Sequence, residues 1–580
     1  MLGRPLLALA LVACAPLAGA ATLDVAWWRA GQLSALQLRD DGPARPAAFD
    51  GARLVPLGSL WKLFVYVYAV DSKLPTPDYP CAGRDAEEVY CCPAGQSVAR
   101  DAALAQSCGL FFAPARLQIK AAPWRAYWNA RLGRPAAAEF DWLADPARLR
   151  PERLVSLRSL LSALASLPAA SRADAEAALL RVVLGARGGN AVSWFGSGLR
   201  IKTFSWHEEG RLVQGRPAQR LGGGAGWLAD GTPLWFAGAG TSATVLRQWA
   251  PRLAKVLPAA APSGDSGCVV VDFFARYPIR KVEGSDGIAA PGALNGRYTV
   301  TFENGQSLAL RSEGELMLSR APGAARAGRR GGTHGGTQIQ GRFGIDEYVA
   351  RVLEREADTA LPEAAKALAV AARTYLQQNA RREQGCQRIA DSSAAQRVGP
   401  NPAGAAARAI AGWTSALVLA GPSVRYHSTV AGKNILAWRE AQAQARRGAR
   451  FDDILAAAYP QAELTSMSGG AALSCVRLPS AEAWLAGELP SWERVLRTEV
   501  GYERPAQLPS VCELGGGGLP YSEQSRNRVF VHQLATREDR ITLAHEFLHL
   551  GLRNHPRGQD EAVVEQLARR LVDVKLEASP

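Results

Sequence analysis

The sequence predicts a multidomain chain that mixes α/β and α+β units, and three observations carry that expectation. With 580 residues it exceeds what one hydrophobic core sustains, so several are expected. Partly alternating stretches such as Leu33–Leu38 read as strands, whereas alanine-rich runs such as Glu363–Tyr375 read as helices. The composition breaks at Pro258–Gly267 (PAAAPSGDSG) and again at Gly469-Gly470, giving expected units at residues 22–260, 265–468 and 469–580.

Ahead of the first unit, residues 1–21 carry Arg4, an apolar run from Leu6 to Ala13 and the small residues Ala18-Gly19-Ala20. That order is a secretory signal peptide, so the protein is expected to cross the inner membrane and to be periplasmic or bound to the cell envelope. An alternative stands beside it, because Leu11-Val12-Ala13-Cys14 resembles a lipobox and would leave a lipid anchor on Cys14. No later stretch supplies the roughly 20 apolar residues of a membrane span. Cysteine usage agrees with export: Cys81, Cys91, Cys92 and Cys108, then Cys268 and Cys386, then Cys475 and Cys512 fall in even numbers per unit, as disulfides within units require. A net charge of +14 suits an anionic neighbour such as cell wall or lipid headgroups. Nucleic acid is not an expected partner, since no nucleic-acid motif accompanies the charge.

In the first unit Leu57-Gly58-Ser59-Leu60-Trp61-Lys62 opens an apolar run to Val70 that reads as a buried helix. Ser59 and Lys62 share one helix face, where a lysine of lowered pKa can take the serine proton. Ser107 follows in Gln106-Ser107-Cys108-Gly109, Lys202 and Thr203 lie on the strand Arg200–Phe204, and Leu234–Gly238 is the next expected strand, with a closing helix over Ala243–Leu257. This order resembles the serine β-lactamase and penicillin-binding (transpeptidase) fold with its SxxK, SxN and KTG motifs. The resemblance implies Ser59 as acylated nucleophile, Lys62 as base, Ser107 as proton relay, and Lys202 with Thr203 as holders of a substrate carboxylate. Gly109 stands at the family's asparagine and Phe204 at its third-motif glycine, which leaves an enzyme and a binding module both open. Pro123–Ala186 is helical in pattern and reads as a structural insertion.

The middle unit begins with expected strands at Val269–Phe273, Tyr298–Phe302 and Ser307–Leu310, and its Gly- and Arg-rich stretch Ala321–Gly336 reads as a loop. Tyr348–Glu356, the break at Leu361-Pro362, the helix Glu363–Tyr375, then Asp391, Gln396, Ala405–Gly412, Tyr426-His427-Ser428-Thr429, Gly432, Trp438 and Asp453-Ile454-Leu455 follow. Together they closely resemble the SpoIID-type (sporulation stage II D) peptidoglycan lytic transglycosylase, an α+β domain. The resemblance implies Glu356 as catalytic carboxyl with Glu354 as fallback, His427 and Ser428 of the returning stretch with Arg373 as substrate-binding residues, and peptidoglycan as partner. One carboxyl suffices for that chemistry, because it can protonate the glycosidic oxygen and then take the proton of the sugar's own 6-hydroxyl. Asp391–Gln396 lacks the His-Cys pair of some family members, and Cys386 is expected to pair with Cys268.

Thr536-Arg537-Glu538-Asp539 in the last unit has a capping-box pattern and starts the expected helix of His545-Glu546-Phe547-Leu548-His549, which Pro556 is expected to end. Histidines at i and i+4 on one helix face can reach one Zn²⁺, with Glu546 beside the open coordination position as general base. His555 stands at the spacing of a metzincin third ligand, with Glu561 and Glu565 on the following helix, Glu561–Leu576, as alternatives. Val529–Val531 would flank this helix as the edge strand does in zincins.

A serine-acyltransferase-like, a SpoIID-like and an HExxH-terminated zincin-like part in one chain resemble an uncharacterised family of secreted bacterial envelope proteins, known by a domain-of-unknown-function label. The expected function is an exported peptidoglycan-processing enzyme that cleaves glycan strands through Glu356 and hydrolyses an amide at the zinc site. Alternatives are a cell-wall-binding scaffold, or a metallopeptidase directed at other envelope proteins whose remaining units localise it.

Overall fold

The computed structural model describes residues 21–573 apart from 133–138, 185–188, 207–211, 214–215, 218–219, 259–266, 321–336, 394–395, 421–423, 433, 461, 468–476, 506, 515–519, 524–526, 553–554, 556 and 559. The expected signal peptide and Cys14, most of the first linker, Gly469-Gly470, Ala321–Gly336, Cys475 and Pro556 lie outside the described residues. Among the described residues no helix is long and apolar enough to cross a membrane.

The first unit is built on a six-stranded antiparallel sheet in the order Gly42–Pro46, Gln32–Arg39, Thr22–Arg29, Pro233–Ala239, Leu221–Leu228, Leu199–Trp206. Its first and late strands are neighbours: Leu23 pairs with Gly238 and Trp27 with Leu234. Leu221–Leu228 (LGGGAGWL) separates the Lys202 strand from Pro233–Ala239, so the Lys202 strand is the sheet edge. Four glycines disguise it as a turn, yet they let backbones close in, since a Cβ on Gly223 would lie 2.0 Å from the Phe236 carbonyl oxygen. Helix Ser242–Val256 covers one face with Val245, Leu246, Trp249 and Leu253.

On the other face lies helix Trp61–Asp71, buried along almost its whole length because its run of aromatic and branched residues is apolar all round. The stretch expected to be an insertion is instead part of this core. Trp128 and Trp142 meet Phe64 edge to face at 5.7 and 5.0 Å, and helices Leu157–Ala165 and Ala169–Leu179 complete the layer. Cys81 bonds to Cys92 and Cys91 to Cys108.

The middle unit has an eight-stranded sheet in the order Gly287–Ile288, Ile279–Gly284, Gly292–Phe302, Ser307–Arg320, Thr337–Phe343, Val269–Phe273, Cys386–Ala390, Arg381–Glu383. Val269–Phe273 and Cys386–Ala390 run parallel and are joined by the expected Cys268–Cys386 bond. The buried helix Pro362–Asn379 packs with Ile345–Glu356, Ala405–Trp413 and Phe451–Ala458 in the unit's core. First and middle units interlock: Val182–Val183 pairs antiparallel with Glu463–Ser466, Leu180, Val182 and Val192 enter the middle core, and Ser193 bonds Asp452.

A three-stranded sheet and three helices form the last unit. Arg528–Val531 is its central strand, not the expected edge, lying parallel to Ser510–Glu513 and antiparallel to Tyr521–Glu523. Helices Pro479–Leu496, Arg537–Gly551 and Glu561–Asp573 share one core with it, in which Trp492 packs on Phe547 at 5.9 Å. The capping box closes as expected, with Asp539 N–H donating to Thr536 and Thr536 N–H to Asp539. Cys512 is disulfide-bonded.

Candidate functional site

Three groups of side chains come together, one in each unit. In the first, Ser59 sits on a 3₁₀ turn, Gly58–Leu60, that feeds directly into helix Trp61–Asp71. Lys62, 8% exposed, directs its ammonium to Ser59 Oγ at 3.2 Å, to Ser107 Oγ at 3.2 Å and to the Ser107 carbonyl at 2.8 Å. Ser107 is a non-glycine residue at φ 71°, ending helix Arg100–Gln106, and the disulfide on Cys108 ties that left-handed turn down. Burial lowers Lys62 to about 8, against the opposing charge of Glu87. Burial together with the charge of Lys62 lowers Lys202 to about 7. A neutral amine is therefore accessible close to neutrality, which the transfer of the Ser59 proton requires.

Ser59, Lys62 and Ser107 line a cleft of about 1050 Å³ together with Thr203, Ser205, Trp61, Tyr90 and Glu87, whereas Lys202 is buried outside that lining and donates to the Thr203 carbonyl at 3.3 Å. Phe204, at the position of the third-motif glycine, is also a lining residue, but it is 1% exposed and packs against Gly58, where a Cβ would be 2.9 Å from the Phe204 Cβ. Gly58 has φ +48°, so the turn before Ser59 needs glycine both for conformation and for room. Sequence reading missed Glu87; its signal was the bracket of Cys81, Cys91, Cys92 and Cys108 that folds its turn against Gly109.

In the middle unit Glu356 ends helix Ile345–Glu356 as a half-buried carboxyl. Burial raises its pKa, opposed by Arg397 at 3.9 Å. Burial also raises Asp391 nearby, whose carboxylate accepts from Val398 N–H at 2.9 Å. Glu354, the fallback, is committed elsewhere, since it accepts from Gly404 N–H at 2.8 Å ahead of helix Ala405–Trp413.

Of the returning strand Arg425–His427, Tyr426 is the residue that interacts electrostatically with Glu356, Tyr348 and Tyr375, whereas His427 and Ser428 are exposed. His427 Nδ1 accepts from the N–H groups of Thr429 and Val430 at 3.1 and 3.0 Å. Tyr426 was legible as the first residue of the Tyr426-His427-Ser428-Thr429 stretch, without a role assigned to it. Arg373 is corrected from substrate binding to structure. It is 0% exposed, pairs with Asp346 at 2.7 Å and donates to the carbonyls of Ala411, Thr414 and Leu417, so no glycan reaches it.

The last unit brings His545, His549 and Glu561 together, with one ligand atom of each within 4.8 Å of the others. His545 Nε2 lies 3.0 Å from Glu561 and 3.1 Å from His549 Nε2. The outward nitrogens are held, His545 Nδ1 by Glu565 at 3.0 Å and His549 Nδ1 by the Gly558 carbonyl at 3.3 Å, as ligand imidazoles generally are. Burial lowers the His545 pKa, but Glu561, Glu546 and Glu565 outweigh it and leave it raised; His545, His549 and Arg425 hold Glu561 low despite its burial. Glu546 is 7% exposed and burial raises it.

Among the described residues Glu561, rather than His555, is the group that comes within reach of both histidines. His555 caps the intervening turn, accepting from Arg557 N–H at 3.0 Å, and its carbonyl takes the N–H of Gly558, whose own carbonyl holds His549. Two imidazoles and one carboxylate suit a divalent transition metal such as zinc. From the middle unit Arg425 pairs with Glu561, so the strand that turns Tyr426 toward Glu356 also reaches this cluster.

Residues 83–211 and 434–557 match a family model described as Predicted secreted protein (DUF2300), and residues 333–420 match Stage II sporulation protein (SpoIID). The uncharacterized protein YfaQ of Escherichia coli (strain K12) is 45% identical over 538 residues, covering 92% of this chain and 93% of that one. Among solved structures, similarity extends to OXA-427 class D β-lactamase, at 17% identity over 41% of this chain and 97% of that one, with a TM-score of 0.26. The C-terminal domain of the Bacillus licheniformis BlaR penicillin-receptor matches at 13% identity over 40% of this chain and 91% of that one, with a TM-score of 0.27.

Proposed function

We propose, from the premise that the chain belongs to one family with Escherichia coli YfaQ and matches in part the model of a predicted secreted protein (DUF2300), that it is a secreted cell-envelope enzyme that cleaves peptidoglycan glycan strands through Glu356. The observation that carries this reading is the Glu356 carboxyl, raised by burial at the end of its helix in the unit that matches the Stage II sporulation protein. A carboxyl whose pKa is raised keeps its proton to higher pH than an ordinary glutamate, in the direction a general acid needs.

Glu356 donates its proton to the glycosidic oxygen as the bond from that oxygen to the anomeric carbon breaks. The sugar's 6-hydroxyl oxygen then bonds to the anomeric carbon and its proton returns to Glu356, so no water is consumed and the product is an anhydro sugar. Incubating the full-length protein with purified sacculi and analysing the products by mass spectrometry tests this. Anhydro-muropeptides released by the wild type and not by Glu356→Gln are expected; their absence from the wild type sinks the reading.

A specific observation favours a second activity on the same polymer. Ser59, Lys62 and Ser107 lie in mutual reach at an open cleft, which supports acyl transfer to Ser59 from a peptide-like carbonyl. At the C-terminal cluster His545, His549 and Glu561 would hold zinc, which when bound supplies a Lewis acid for amide hydrolysis. Glu546, buried beside the two imidazoles, would hold or pass on a proton there.

A further inference from the structure

Where the β-lactamase-like motif order calls for an asparagine, Gly109 leaves space, and that space is not empty. A Cβ built on Gly109 would lie 3.2 Å from Glu87 Oε2, 3.5 Å from Lys62 Cε and 3.8 Å from Lys62 Nζ. The Glu87 carboxylate therefore stands where an asparagine side chain would begin, within electrostatic reach of the Ser59 base. Its position is built in. Glu87 lies on the 3₁₀ turn Ala86–Tyr90, whose next residue, Cys91, is bonded to Cys108 between Ser107 and Gly109.

An asparagine amide presents a donor and an acceptor, whereas a carboxylate accepts only and carries charge. It repels a substrate carbonyl oxygen and attracts an ammonium. Glu152, Tyr90 and Trp61 also line the cleft, and Lys62, whose Nζ lies 5.6 Å from the Trp61 ring centroid, is the one lysine or arginine among its described lining residues, against the two carboxylates Glu87 and Glu152. Carboxylates with aromatic faces are the chemistry of an amine site.

We propose that Glu87 is the specificity-determining residue of the serine cleft and selects acyl donors that carry a cationic amine on the side chain next to the scissile amide. This rests on Ser59 as the acyl acceptor. In the acylation of a β-lactam probe, Ser59 Oγ bonds to the lactam carbonyl carbon and the lactam C–N bond breaks. The Ser59 proton passes to Lys62 Nζ and, through Ser107 Oγ, to the departing nitrogen.

Benzylpenicillin and ampicillin differ by one α-amino group and serve as the probes. Acylation of the full-length protein is followed by intact mass, with the adduct mapped to Ser59. The wild type is expected to react faster with ampicillin, and Glu87→Gln to reduce that preference about two- to fivefold, the worth of an ion pair at a partly exposed site. Glu87→Asp, which keeps the charge, is expected to retain most of it. Because the Glu87 charge raises Lys62, the rising limb of the acylation pH profile is also expected at lower pH in Glu87→Gln. Equal rates for the two probes in the wild type, or an undiminished preference in Glu87→Gln, overturn the inference alone. No adduct on Ser59 with either probe overturns the serine reading and the inference with it.

Discussion

The serine cleft of the first unit and the histidine cluster of the last differ in how ready they are. Ser59, Lys62 and Ser107 stand within hydrogen-bond reach around an open cleft of about 1050 Å³, and burial has already moved the base to about 8. His545, His549 and Glu561 are equally close, but Arg425 pairs with Glu561 and Glu546 is nearly inaccessible. The weaker motif in sequence thus makes the more open site. Motif specificity reports which side chains share a helix face; openness depends on what other segments lay against that face.

The largest effects separate the two sites outright. Ser59→Ala is expected to abolish covalent labelling by β-lactams while leaving metal content unchanged, read by intact mass and by elemental analysis. Conversely, His549→Ala is expected to remove stoichiometric zinc with Ser59 labelling intact. Loss of both properties in either variant would show that the sites are not independent.

Within the cluster, Glu561→Ala and Glu565→Ala are expected to weaken zinc binding, the latter about 10- to 100-fold as for other groups that orient a ligand histidine, and His555→Ala far less than Glu561→Ala. A titration with a competing chelator measures this. Zinc affinity lost through His555 and unaffected by Glu561 would restore His555 as the third ligand.

A smaller effect sharpens the contrast in readiness. Acylation at Ser59 needs Lys62 neutral, so its rate is expected to rise with pH through about 8 and then level. A flat profile from pH about 6 to about 10 would mean that Lys62 is not the base. The smallest concerns the closure of the cluster: Arg425→Ala removes a cation from Glu561 and is expected to tighten zinc about two- to fivefold.

What the sequence made legible was local. The buried helix after Ser59, the capping box at Thr536, the Cys268–Cys386 pair and the i, i+4 histidines follow from periodicity, short-range hydrogen bonding and family likeness. What it concealed depends on distant contacts. Leu221–Leu228 is a central strand whose glycines are there for backbone approach, and Val182–Val183 completes a sheet with residues beyond 460. How deeply Phe204 sits beside the cleft it lines is not written in a residue's name, and Arg373 looked like a ligand contact because a buried arginine and a binding arginine read alike. That Glu561 lies within reach of His545 and His549 depends on the last helix returning to the histidines, which no spacing in the sequence records.

The central claim is that the middle unit cuts glycan strands with Glu356, and the digestion of purified sacculi by wild type and Glu356→Gln tests it most directly. A general acid is worth about 10²- to 10⁴-fold, so the variant is expected to release anhydro-muropeptides at least about 100-fold more slowly. Because the acid must be protonated, wild-type release is expected to fall as pH rises through the elevated pKa of Glu356. Equal release by the two proteins would contradict the account.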